Sequence, residues 1–154
     1  LLELVIQNEK RLLEISQQHN RDFKEYAPTY MLHHLTAPAR TILLHQLEEN
    51  LTMTESKLNH LFEALYEIRQ ARILAIKDIT EAYLKSVNYD MSIRDYLSYI
   101  WSLTYGAALL LNSSYYQRSI GSRQKLINLY INQALSLPAQ SINLDAFEIE
   151  LKDA

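Results

Sequence analysis

The sequence predicts an all-α protein: a single bundle of four to five helices, ending in a short strand-like tail. Three observations lead there. Apolar residues recur at spacings of three and four along most of the chain, which gathers them on one helical face. The residues that shape the turns of all-β folds are scarce, with two glycines and three prolines in 154 residues. Hydrophobic residues make up 48% of the sequence, which sustains a core and argues against disorder. The length suits one domain. We divide it into a helical bundle over 1–140 and an extended tail, or the start of a further segment, over 141–154.

Leu2, Val5, Ile6, Leu13 and Phe23 fall near helical spacing, so a first helix is expected from Leu2 to about Tyr26. Its polar second half is expected to project beyond the core. Pro28 should end it, because proline disfavours α geometry in the residue before it. Pro28 to Ala39 then reads as a short connection. Thr36 or Ala37 caps the next helix, with Pro38 in its first turn, where a missing N–H costs nothing. Ala39 to Asn50 is amphipathic, and Thr52-Met-Thr-Glu55 offers a capping box for a helix from about Thr54 to Val87. Along that helix Leu58, Leu61, Leu65, Ile68, Arg72, Ala75, Ile79 and Ala82 form a stripe, widened by Phe62, Tyr66, Ile73, Ile76 and Tyr83. So wide a stripe belongs to a globular bundle rather than a two-stranded coiled coil. Arg72 stands out in it, and is read as a snorkelling or paired arginine.

Val87 to Ser92 is a turn. Ser92-Ile-Arg-Asp95 resembles a second capping box, so the next helix should run from Ile93 to about Leu111. From Tyr96 to Gln117 there is no charged residue, but serines, Thr104 and Asn112 interrupt the stretch. A membrane span takes about 20 predominantly apolar residues. We therefore expect this to be the central helix of the bundle, or half core and half partner interface. Gly106, beside Ala107 and Ala108, would allow close helix approach. A loop containing Gly121 leads to a last helix from about Arg123 to Ser136, stopped before Pro138. In the tail, Phe147, Ile149 and Leu151 alternate with Glu148 and Glu150, which is strand spacing.

In "LEENLTMTESKLNHLF", residues 47–62, Leu47, Met53, Thr54, Lys57, Leu58, Leu61 and Phe62 form a pattern. It resembles the first helix–turn–helix of AraC-type transcription regulators, with the turn methionine, the Ser/Thr cap and the apolar face of the recognition helix in place. The resemblance implies that Glu55, Ser56, Asn59 and His60 would face the major groove. The charges point the other way. Residues 47–66 hold Glu48, Glu49, Glu55 and Glu63 against Lys57 alone, whereas DNA binding rests on phosphate neutralisation by Lys and Arg. The stretch is read as a capped bend between two bundle helices, and no nucleic-acid partner is expected.

The chain has no cysteine, which excludes disulfides, thiolate metal sites and cysteine nucleophiles. A net charge of −3 is too mild to imply a partner. His45 with Glu48, and His60 with Glu63, each sit three apart on one helix face, but the further ligands of a di-metal bundle are not evident. Arg40 and His45 fit the loose Arg-x4-His spacing of helical ribonuclease-like domains. No Ser/His/Asp set or phosphate-cradling glycine loop has recognisable spacing. No catalytic residue, metal or cofactor is assigned.

Two regions remain. Tyr96, Tyr99, Trp101 and Tyr105 are contact candidates, since Tyr and Trp are enriched at interfaces. Arg118, Arg123 and Lys125 are the only charges between Asp95 and Asp145, and Ser122 can cap the last helix. Backbone N–H groups at a helix start attract anions, so Arg118, Ser122, Arg123 and Lys125 form a candidate anion site. The function expected is a non-enzymatic protein-interaction or regulatory module, self-associating or part of a larger assembly. One alternative is a sensory bundle that binds a small anion at the basic loop; another is DNA binding through 47–66. The chain opens on Leu1 rather than Met, so it is expected to be trimmed, processed or part of a longer protein. Nothing in it fixes a compartment.

Overall fold

The computed structural model describes residues 1–52 and 58–136. The protein is all-α over these residues, with seven helices. They are α1 (Leu2–Gln18), α2 (Phe23–Leu35), α3 (Pro38–Thr52), α4 (Asn59–Ser86), α5 (Ile93–Asn112), α6 (Ser114–Gln117) and α7 (Arg123–Ala134). The strand-like tail and the domain limit at 140–141 lie outside the described residues, as do Met53, Thr54 and Glu55 of the expected capping box.

The count exceeds four to five because the expected first helix and the connection after it are two helices. α1 stops at Gln18. Asp22, in extended conformation, caps a fresh helix by accepting a hydrogen bond from the Lys24 N–H at 3.1 Å. Pro28 lies inside that helix and does not end α1. It removes the N–H that would reach the Lys24 carbonyl. Packing outweighs this loss: Phe23, Tyr26, Ala27, Tyr30, Met31 and Leu35 of α2 are all buried. Each large side chain among them contributes about 1.5–3 kcal/mol on full burial. The polar second half of the expected first helix therefore does not project, and the expected connection is a core element. The short α6 is the other addition.

Of the later elements, α5 and α7 start at the expected caps. In contrast, α4 is described from Asn59 with Leu58 at its N-cap and no side-chain cap, and the Thr36 hydroxyl bonds back to the Leu32 carbonyl of α2. Pro38 opens α3, and the Ser92 and Ser122 hydroxyls accept the Asp95 and Lys125 N–H groups at 3.1 and 3.2 Å. α5 is the central helix, packed on α2, α3, α4, α6 and α7. Gly106 faces open space rather than a neighbouring helix. No described helix is long and apolar enough to cross a membrane.

Two apolar clusters divide the bundle. The larger joins α2, α5 and the second half of α4, centred on Phe23, Tyr26, Met31, Ile100 and Leu111. The smaller joins the starts of α1 and α4 to the end of α3, with Leu2, Val5, Ile6, Phe62 and Leu65 at its centre. Leu47, Leu58 and Leu61, which carry the helix–turn–helix pattern, pack onto this smaller cluster together with Phe62. α1 and α4 form the most extensive helix pair. Between the clusters the interior turns polar, and the candidate site lies there.

Candidate functional site

A cavity of about 350 Å3 opens between α1, α2, α3, α4 and α5. Its walls follow from helical spacing. On α1, Val5, Glu9 and Leu12 share one face, so Glu9 is carried inward by its apolar neighbours. Arg69 and Arg72 sit three apart on α4 and both reach Glu9. Thr41, His45 and Glu48 lie along one face of α3, and Trp101 and Tyr105 along one face of α5. α2 contributes Tyr30 and His34.

The floor is a charged quartet. Arg69 forks onto Glu48 with Nη1–Oε2 and Nη2–Oε1 distances of 2.9 and 2.5 Å, and its Nε lies 3.3 Å from Glu9 Oε2. Arg72 Nε lies 2.8 Å from the other oxygen of Glu9. That contact is an ion pair without a hydrogen bond, because the N–H is not aimed at the oxygen. Glu9 and Arg72 are only 4% and 8% exposed. Burial works against the charge of Arg72, but Glu9 and the Tyr30 and Tyr26 phenols outweigh it and hold the guanidinium protonated. For Arg69 the same burial is outweighed by Glu48 and Glu9. The Arg72 guanidinium carbon stands 5.9 Å from the Tyr30 ring centre, within cation–π range. Burial pushes the Tyr30 hydroxyl far above its ordinary range, against the pull of Arg72.

The rest of the lining includes aromatic side chains. Trp101 and Tyr105 are among them, with His45 edge-on to Tyr105 at 4.7 Å. His34 Nδ1 is 2.8 Å from the Thr41 hydroxyl. Burial, with the charges of His33 and Arg72 nearby, pushes His34 down to about 3, so its ring is neutral. His33 is pushed down to about 4, first by burial and then by Arg40 and Arg11, and its Nε2 pairs with Asn8 Oδ1 at 2.9 Å. A recess of about 120 Å3 continues the cavity past Trp101 and Tyr105 to Thr104.

The sequence-derived candidates separate. Trp101 and Tyr105 line the cavity. Tyr96 is buried in the larger cluster and donates to the Ala134 carbonyl at 2.9 Å, and Tyr99 donates to the Gln133 carbonyl at 3.0 Å. These two hydroxyls tie α5 to α7. In the basic loop Ser122 caps α7, and Arg123 Nη1 donates to the Leu111 carbonyl at 3.3 Å. Arg118 and Lys125 are exposed, and shallow grooves beside α7 run past Lys125. His45 and Glu48 do not act as a pair, since Glu48 is taken by Arg69. Arg40 donates to the His33 carbonyl, away from His45. Among the described residues no group of three His, Asp or Glu side chains is placed to hold a metal.

Sequence reasoning singled out Arg72 and missed its partner Glu9, and with it Arg69, Tyr30, His34 and Thr41. One signal was available: Glu9 interrupts the apolar face of α1 as Arg72 interrupts that of α4, and two misfits of opposite charge can satisfy each other. Compared with protein-family models, curated proteins and solved structures, the chain matches none of the three.

Proposed function

We propose that this chain is a non-enzymatic helical regulatory module that takes a small molecule into the cavity between α1 and α5. The observation that carries the reading is the Glu9–Arg72 pair, buried and unaligned at the wall of a cavity of about 350 Å3. Desolvating two charges costs several kcal/mol per ion, and apolar side chains often clamp helices as well or better. A quartet that served only as a clamp would be expected to use its hydrogen bonds fully. Small-molecule sites are concavities of about 300–1,000 Å3, lined by apolar and aromatic groups with a few placed polar ones. Buried groups with displaced protonation equilibria gather at such sites. Both cavity carboxylates are held by arginines, which favours binding over acid–base chemistry.

A thermal-shift screen of small polar metabolites tests this. Ligands are expected to raise the melting temperature of the wild type, since one present at 100 times its Kd adds about 2.7 kcal/mol. The rise should vanish in Leu44→Trp, whose larger side chain fills the cavity. A screen in which no compound acts, or in which both proteins respond alike, would contradict the reading.

The α6–α7 end supports a second reading, that of a protein-interaction module. Tyr115 and Leu129 are 75% and 59% exposed near the basic residues Arg118 and Lys125. An acidic partner or a second copy of the chain would suit this face, and the Arg118–Lys125 loop keeps its candidacy for a small anion. Light scattering over a wide concentration range tests self-association, with concentration-independent monomer as the contrary result.

A further inference from the structure

We infer that the cavity takes an uncharged, planar molecule bearing an amide-type donor–acceptor pair, such as a carboxamide or a lactam-containing heterocycle. The inference rests on the cavity reading above and specifies its ligand.

Charge selects first. The fixed charges at the wall are Glu9 and Glu48 against Arg69 and Arg72, and they cancel in pairs. An anion entering the cavity meets arginines already committed to carboxylates, and it meets those carboxylates as well. A cation meets the reverse. Either ion gives up its hydration without gaining a free counter-charge. A neutral molecule loses nothing on this account.

Shape selects next. Trp101 and Tyr105 add two aromatic rings to the lining of the same cavity. The recess behind them, about 120 Å3, is the size of one ring. An apolar cavity of about 150 Å3 is known to accept benzene.

Hydrogen bonding selects last. The Thr41 hydroxyl lies 3.5 Å from the His34 carbonyl, to which it donates, and 2.8 Å from His34 Nδ1. We assign the one proton of the hydroxyl to the His34 carbonyl, which makes Thr41 the acceptor from Nδ1–H and leaves Nε2 of the neutral ring as an acceptor. On the α1 side, Asn8 Oδ1 accepts from His33 Nε2, which leaves the Asn8 amide N–H groups as donors. Both His34 and Asn8 line the cavity. It therefore offers one uncharged acceptor and one uncharged donor beside an aromatic wall, and a planar amide carries the complementary pair.

The test uses three probes of nearly one shape and three charges: benzamide, benzoate and benzamidinium. Titration calorimetry on the full chain measures each, and emission from Trp101, the sole tryptophan, reports occupancy in the wild type. Benzamide is expected to bind at least about tenfold more tightly than either ion, to perturb Trp101, and to lose its affinity in Leu44→Trp. Tighter binding of benzoate or benzamidinium would overturn the inference and leave the cavity reading standing. Binding of benzamide that leaves Trp101 emission unchanged would place it elsewhere and overturn the inference. Failure of all three probes would overturn this ligand class, and the metabolite screen then decides the cavity reading separately.

Discussion

Glu9 and Arg72 set the energetics at the scale of single residues. Removing one partner of a buried pair strands the other's charge, which costs about 3–5 kcal/mol. Glu9→Gln and Arg72→Met are each expected to destabilise by that order in urea unfolding. The double variant Glu9→Gln/Arg72→Met is expected to lose markedly less than the two single losses added together. Additive losses would mean that the two residues do not act as a pair. The histidines make a second prediction. His34 and His33 are pushed down to about 3 and 4 in the folded protein, against an unfolded value near 6.5. The unfolded chain then binds more protons in between, so stability rises with pH. Their contribution is fully present above pH 6.5 and is lost as the pH falls towards 3–4. Each proton of difference is worth about 1.4 kcal/mol per pH unit. Urea midpoints from pH 7 to 5 should therefore fall, and His34→Asn should flatten the slope by about one proton. At this scale Arg72 was legible as a misfit in its stripe. His34 was not, because its burial depends on which helix α2 becomes.

At the scale of elements, two of the caps read from sequence form, while the Thr36 hydroxyl turns back to the Leu32 carbonyl of α2. The Ser92 and Ser122 hydroxyls accept from the third residue of α5 and α7. Ser92→Ala and Ser122→Ala are each expected to cost about 1 kcal/mol in chemical denaturation. Pro28 misled the reading because proline's local preference favours a stop, while burial of the α2 face favours continuation. Proline in a helix interior costs about 3 kcal/mol, and replacing it frees unfolded-chain entropy worth about 0.4–1 kcal/mol. Pro28→Ala should accordingly stabilise the protein by about 2 kcal/mol, read as a higher urea midpoint. A loss of stability would mean that the ring of Pro28 packs in a way that outweighs the missing hydrogen bond. The α1–α2 break was equally hard to foresee, since Asp22 as a cap looks like any other acid in a polar run.

At the scale of the whole molecule, the all-α class was legible because periodicity and scarce glycine and proline are properties of the chain alone. The cavity was not, because its residues come from five helices. No spacing rule connects Glu9 to Arg72, or His34 to Trp101; only the packing of α1 on α4 and of α2 on α5 brings them together. The resemblance at 47–62 shows the converse. Its apolar residues were legible, but any capped bend uses such anchors, and here Leu47, Leu58, Leu61 and Phe62 pack onto the α1 cluster. The account's central claim is that the polar space between the two apolar clusters is a ligand site rather than a helix clamp. The most direct measurement is the 15N indole resonance of Trp101 during titration of the full chain with benzamide. The account predicts a saturable shift in that single resonance, lost in Leu44→Trp. An indole resonance that stays fixed, with the metabolite screen also blank, would contradict it and leave the quartet as a clamp between α1, α3 and α4.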